Sequence, residues 1–183
     1  MQSMQIEEVA NMKTVIVNRE FEKDYKRFLV NTDWSLEELQ DYLKIEFSLD
    51  PSEQIRLKSH VTNKYFTKEE LGAQLNKYPE FNEGGARMQL DLGVAPSLAE
   101  FIVKVCLFTN CKTVYDLFVN AEATVKELKE KTADLLGVKE TNLYTLYRAN
   151  HFDEPQFALR REGLKVTKCN ISTGDLLILK ENS

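Results

Sequence analysis

Three cysteines, two histidines and one acidic doublet are the residues of this chain whose types could do chemistry: Cys106, Cys111, Cys169, His60, His151 and Asp153-Glu154. A cysteine meeting a histidine in space would make a thiol hydrolase, because imidazole can take the thiol proton and leave a nucleophilic thiolate. His151 could be drawn to any of the three cysteines on that reading. Yet Cys106 falls inside an apolar strand, Cys169 falls in a loop-like stretch, and no activating element stands beside any of them. Zinc would need Cys, His or carboxylate ligands at short fixed intervals, and neither histidine has them. The cysteines form no CxxC, and one disulfide would leave one over, a pattern that fits a reducing compartment, cytoplasmic or nuclear. Asp153 and Glu154 read as solvated loop charge, since nothing adjacent would push their pKa values apart. The motifs G-x-x-x-x-G-K, G-x-G-x-x-G and G-x-S-x-G do not occur. These residues predict no catalytic centre, no metal site, no cofactor and no small-molecule substrate.

Charge narrows the partners further. The net formal charge of −5 lies in residues 1–95, with 12 Lys/Arg against 17 Asp/Glu, whereas residues 96–183 balance at 12 of each. Neither part has a basic cluster interleaved with aromatics, so nucleic acid is not the expected partner. No apolar run is long enough for a bilayer span, so no membrane is expected either. The first residues lack the basic-then-apolar order of a signal peptide, and 1–11 reads as a leader or the end of a linker. A protein partner is left.

The elements that would present a surface to such a partner recur twice. Thr113 to Val138 is the best marked: an apolar strand, Val114 to Val119, then a helix opened by Thr124-Val125-Lys126-Glu127 with capping-box spacing and closed by Gly137. Val125, Leu128, Thr132, Leu135 and Leu136 form its apolar stripe. Ser35-Leu36-Glu37-Glu38 opens an earlier helix the same way, with Leu36, Leu39, Tyr42, Leu43 and Phe47 on one face. Before it, Lys13 to Val17 and Lys26 to Val30 read as a hairpin; after it come a strand at Ile55 to Lys58, a two-turn helix from Thr67, a loop around Pro79 and Gly84-Gly85, and a strand at Arg87 to Leu92. In the second half Phe101 to Phe108 and Val114 to Val119 are a hairpin; Leu143 to Tyr147, a minor strand at Leu164 to Val166, and Leu176 to Leu179 complete it. Each half is strand, strand, helix, strand, irregular segment, strand, the order of a sheet with one face covered. The boundaries read as domain 12–92, linker 93–98 and domain 99–181.

This doubled order resembles the ubiquitin-like β-grasp fold. Thr124 to Val138, with its Leu136-Gly137-Val138 exit, is similar to ubiquitin's helix. Ile171 to Ile178, with Gly174-Asp175 inside it, resembles the approach to the last strand, and Leu49-Asp50-Pro51 to Leu57 resembles the helix-to-strand passage. The resemblance implies an α+β chain of two tandem ubiquitin-like β-grasp domains, each a mixed sheet packed on one main helix. Tandem ubiquitin-like domains distant from ubiquitin are characteristic of the non-catalytic regions of ubiquitin-specific proteases. That implies a non-enzymatic interaction or regulatory segment, contacting a protein partner or the catalytic domain of its parent chain. The chain's last residues, Lys180 to Ser183, lack the diglycine of a conjugated modifier. The competing readings are a thiol hydrolase and a passive spacer between other domains.

By the same resemblance, ubiquitin's central patch position falls at Lys58 in the first half and near Tyr147 in the second. Alternation turns Met88, Leu90 and Leu92 toward the first helix, and Arg87, Gln89, Asp91 and Lys58 toward water. In the second half Tyr147, Thr145, Lys104 and Cys106 face away from the helix. Leu176 to Leu179 is apolar in both phases, so one pair must join them. The predicted partner-binding set is Tyr147, Thr145, Leu177, Leu179 and Lys104, with the phase of the last strand left open.

Overall fold

The computed structural model describes residues 11–183, so all of the 1–11 leader but Asn11 lies outside the described residues. Two compact units divide the chain, Met1–Leu98 and Ala99–Ser183. In the first, β1 (Met12–Arg19) and β2 (Lys26–Asn31) form an antiparallel hairpin, followed by helix α1 (Leu36–Glu46), β3 (Ile55–Ser59) and the two-residue β4 (Lys64–Tyr65). The 3-10 turns Lys68–Glu70 and Leu75–Lys77, a short helix α2 (Pro79–Glu83) and β5 (Ala86–Leu92) complete it. The sheet order is β2-β1-β5-β3-β4, with β5 parallel to β1 and antiparallel to β3.

The second unit repeats this plan. It runs β6 (Glu100–Leu107), β7 (Asn110–Asn120), α3 (Val125–Leu136), β8 (Tyr144–Ala149), β9 (Pro155–Ala158) and β10 (Leu176–Glu181). Its order is β7-β6-β10-β8-β9, with β10 parallel to β6. Both units are mixed five-stranded sheets grasping one main helix, the α+β ubiquitin-like architecture that the resemblance implies. Each has its own core: Val15, Val17, Leu57, Met88 and Leu90 under Leu36, Leu39 and Leu43 in the first, and Val103, Val105, Leu146, Leu177 and Leu179 under Val125 and Leu128 in the second. Burying each such side chain contributes about 1.5–3 kcal/mol.

One device opens both main helices. The first N–H groups of a helix have no partner within it. At α1, Glu38 N donates to Ser35 Oγ (3.1 Å), and Leu36 N and Glu37 N donate to Ala73 O (2.9 Å) and Leu71 O (3.0 Å). At α3, Glu127 N donates to Thr124 Oγ1 (3.2 Å), and Val125 N and Lys126 N donate to Leu164 O (2.8 Å) and Glu162 O (3.0 Å). In each unit the irregular segment before the last strand is thus fastened across the start of the helix. That fastening explains two departures from the sequence pattern. The two-turn helix expected from Thr67 is only a 3-10 turn, because the carbonyls of Leu71 and Ala73 serve α1 instead. The minor strand expected at Leu164 to Val166 is a single bridge from Lys165 to Thr124, running into the 3-10 turn Val166–Cys169.

Other departures are local. The loop expected at Pro79 holds α2, with the proline in its first turn, where a missing N–H costs nothing. Leu135 is exposed, and Lys129 takes a buried place on α3, its Nζ 3.2 Å from Glu162 Oε1. The edge strands β4 and β9 are too short to carry a pattern.

Residues Gly93 to Leu98 are tied to the first unit. Gly93 N donates to Gln54 O (2.8 Å), Arg56 Nη1 to Val94 O (3.4 Å), Lys68 N to Pro96 O (2.9 Å) and Leu98 N to Glu69 Oε2 (2.9 Å). Gly93 has φ +132°, and a Cβ there would stand 2.9 Å from Arg56 Nη1, so the close approach needs glycine. Among the described residues, no helix is long and apolar enough to cross a membrane.

Candidate functional site

The sheet face turned away from α3 is built by alternation on five strands. Cα pairing aligns Cys106 on β6, Ile178 on β10, Tyr147 on β8 and Ala158 on β9 in one row across it. A second row runs through Asp116, Lys104 and Leu176, and Thr145 pairs with Lys180 in a third. Lys104 Nζ lies 2.8 Å from Asp116 Oδ1, with both side chains partly exposed. Thr145 donates its hydroxyl to Asn182 Oδ1 (2.6 Å), and the Lys180 ammonium stands 4.6 Å from the centre of the exposed Phe108 ring. Tyr147 is half-buried beside Ile178, while Ile178, Cys106 and Ile102 on this face are 0%, 0% and 2% exposed.

Tyr147, Thr145 and Lys104 therefore share one face, as alternation predicts. Leu177 and Leu179 do not join them. Both are fully buried in the core with Val125 and Leu128 of α3, and the pair on the outer face is Leu176 and Ile178. A four-residue apolar run carries no phase of its own; β10 takes its phase from β6, where Val103 and Val105 face α3 and Lys104 does not. The partner-binding assignment of Leu177 and Leu179 is corrected accordingly.

The corresponding face of the first unit is not simply solvated, as alternation alone predicts. Arg87, Gln89 and Lys58 do lie there, but Asp91 is 1% exposed, paired directly across the sheet with Arg56, which is 2% exposed. Arg56 Nε lies 3.8 Å from Asp91 Oδ2, Gln89 Nε2 donates to Asp91 Oδ1 (2.8 Å), and the Tyr65 hydroxyl donates to Asp91 Oδ2. The guanidinium also stacks 5.0 Å from the Tyr65 ring centre. Burial, and then the bond to Asp91, raise the Tyr65 phenol well above its ordinary range. Leu92, expected inward, is exposed at the strand's end. Sequence reading missed this cluster because it depends on β4, which brings Tyr65 over the charged pair.

No His–Cys pair forms among the described contacts of these residues. His60 Nε2 meets Asn18 Oδ1 at 3.2 Å, His151 stacks on Phe152 at 3.9 Å, and Cys169 Sγ lies 3.7 Å from Lys165 O. Cys106 Sγ has another neighbour, Cys111 Sγ, at 2.7 Å. Among the described residues no three potential metal ligands cluster.

The topology of both units is that of the ubiquitin-like β-grasp fold. Residues 101–182 match the family model described as the USP40 ubiquitin-like domain, so the second unit is similar to a domain of a ubiquitin-specific protease. No curated protein matches the chain. Among solved structures, the ubiquitin-like domain of Arabidopsis thaliana protein At2g32350 is 15% identical, covering 47% of this chain and 81% of its own, with a TM-score of 0.38. The C-terminal ubiquitin-like domain of mouse tubulin-specific chaperone e is also 15% identical, covering 50% of this chain and 96% of its own, with a TM-score of 0.40.

Proposed function

We propose that this chain is a regulatory protein-interaction module of a ubiquitin-specific protease, acting in the cytoplasm or nucleus. It binds a protein partner, or the catalytic domain of its parent chain, through the second unit's sheet face. One observation supports the face: Leu176 and Tyr147 are partly exposed on the side away from α3, over Ile102, Cys106 and Ile178, which are already buried there. Lys104, Asp116, Thr145 and Lys180 supply polar groups around them, the composition of a recognition surface.

Affinity capture with the 183-residue protein as bait, read by quantitative mass spectrometry, tests the reading. Tyr147→Ala and Lys104→Glu are expected to lower capture of a common partner tenfold or more, about 1.4 kcal/mol, with unchanged circular dichroism. Equal capture by wild type and both folded variants would remove the face from consideration.

A further inference from the structure

Cys106 lies in the β-bulge between Val105 and Leu107 near the tip of the β6–β7 hairpin, and Cys111 follows Asn110, the partner of Leu107, on β7. The β-bulge between Val105 and Leu107 shifts the pairing there and leaves the two sulfurs 2.7 Å apart, against about 2.05 Å for an S–S bond. The two thiols differ in access: Cys106 is fully buried, whereas Cys111 is half-buried, its Sγ 3.3 Å from Leu107 O. Cys169 sits on its own 3-10 turn and contacts neither.

We propose that Cys106 and Cys111 form an oxidative modification site, which closes to an intramolecular disulfide by exchange with glutathione disulfide. Cys111 acts first. It gives its proton to water, and its thiolate attacks one sulfur of glutathione disulfide; that S–S bond breaks and one glutathione thiolate leaves and is protonated. Cys106 then loses its proton and attacks Cys111 Sγ, expelling the second glutathione. Two cysteine sulfurs are oxidised, two glutathione sulfurs are reduced, and the balance closes as one protein disulfide and two glutathione thiols. The order follows from chemistry as well as access. Burial, and then the hydrogen bond and charge of Cys111 with a smaller contribution from Asp153, push the Cys106 thiol up to about 12. The thiolate is the attacking species, so the buried sulfur is the slow, resolving partner. The bridge encloses a very short loop, so loop closure by itself contributes little, and the folded hairpin supplies the approach of the two sulfurs. This site stands whether or not the sheet face binds a partner.

The test is equilibration of the folded 183-residue protein in glutathione buffers of graded redox ratio, followed by acid quench, alkylation and peptide mass mapping, with circular dichroism taken in parallel. The expected product is a Cys106–Cys111 linked peptide two hydrogens lighter than the dithiol, reversed by dithiothreitol and unchanged in Cys169→Ser. It is expected at ratios that leave the urea-unfolded chain reduced. In Cys106→Ser the reaction is expected to stop with glutathione on Cys111, and in Cys111→Ser the buried Cys106 is expected to stay a thiol. The proposal fails if folded wild type holds glutathione on Cys111 at equilibrium while Cys106 remains a thiol. It fails equally if all three cysteines stay reduced across the series, if Cys169 takes part in the bridge, or if unfolding does not disfavour it.

Discussion

Arg56 and Asp91 are each almost fully removed from water and lie against each other, Arg56 Nε 3.8 Å from Asp91 Oδ2. Gln89 and Tyr65 donate to Asp91, and Arg56 Nη1 donates to the Val94 carbonyl. Removing one partner of a buried pair leaves the other uncompensated, at about 3–5 kcal/mol, whereas replacing both with apolar residues of similar size is often close to neutral. Arg56→Met is accordingly expected to lower first-unit stability by about that amount. Arg56→Met with Asp91→Leu should recover most of it, as read by urea denaturation. A double variant as unstable as the single one would argue that the cluster acts through shape and not charge. The outward direction of Asp91 was legible in the alternation of Arg87 to Leu92. Its burial was not, because it depends on a tyrosine delivered by a two-residue strand with no periodicity to read.

The helices declare themselves through their caps. Ser35 and Thr124 both accept the bond that their spacing to Glu38 and Glu127 predicts, and Gly137 closes α3 in the left-handed region at φ +76°. Thr124→Ala is expected to cost about 1 kcal/mol, the usual loss for an N-cap hydroxyl, measured as a lower melting midpoint of the second unit. A loss well below that would mean that the Leu164 and Glu162 carbonyls hold the helix start without the side chain. These carbonyls come from over thirty residues downstream, which is why the irregular segments were the least legible part of each unit. Strand β10 illustrates a second limit. Leu176 to Leu179 offers apolar residues to both faces, and only its pairing with β6 decides that Leu177 and Leu179 go inward.

At the scale of the chain, the same order of elements occurs twice, and each copy closes a core of its own. A unit with its own core and its own helix caps should fold alone. Residues 99–183 produced by themselves are expected to give a dispersed amide spectrum and one cooperative unfolding transition. A molten or aggregated fragment would show that the second unit needs the first. The repetition was legible because capping signals and alternation recur in step, about ninety residues apart.

The bonds that fasten Gly93 through Leu98 have a practical corollary for anyone dissecting this molecule. Composition invites a cut after Leu92, where glycine and proline announce a joint. Scissors placed there would strip Arg56 of the Val94 carbonyl, expose Ala95 and unpair Lys68 from Pro96. The seam lies between Leu98 and Ala99, six residues beyond the spot the punctuation marks.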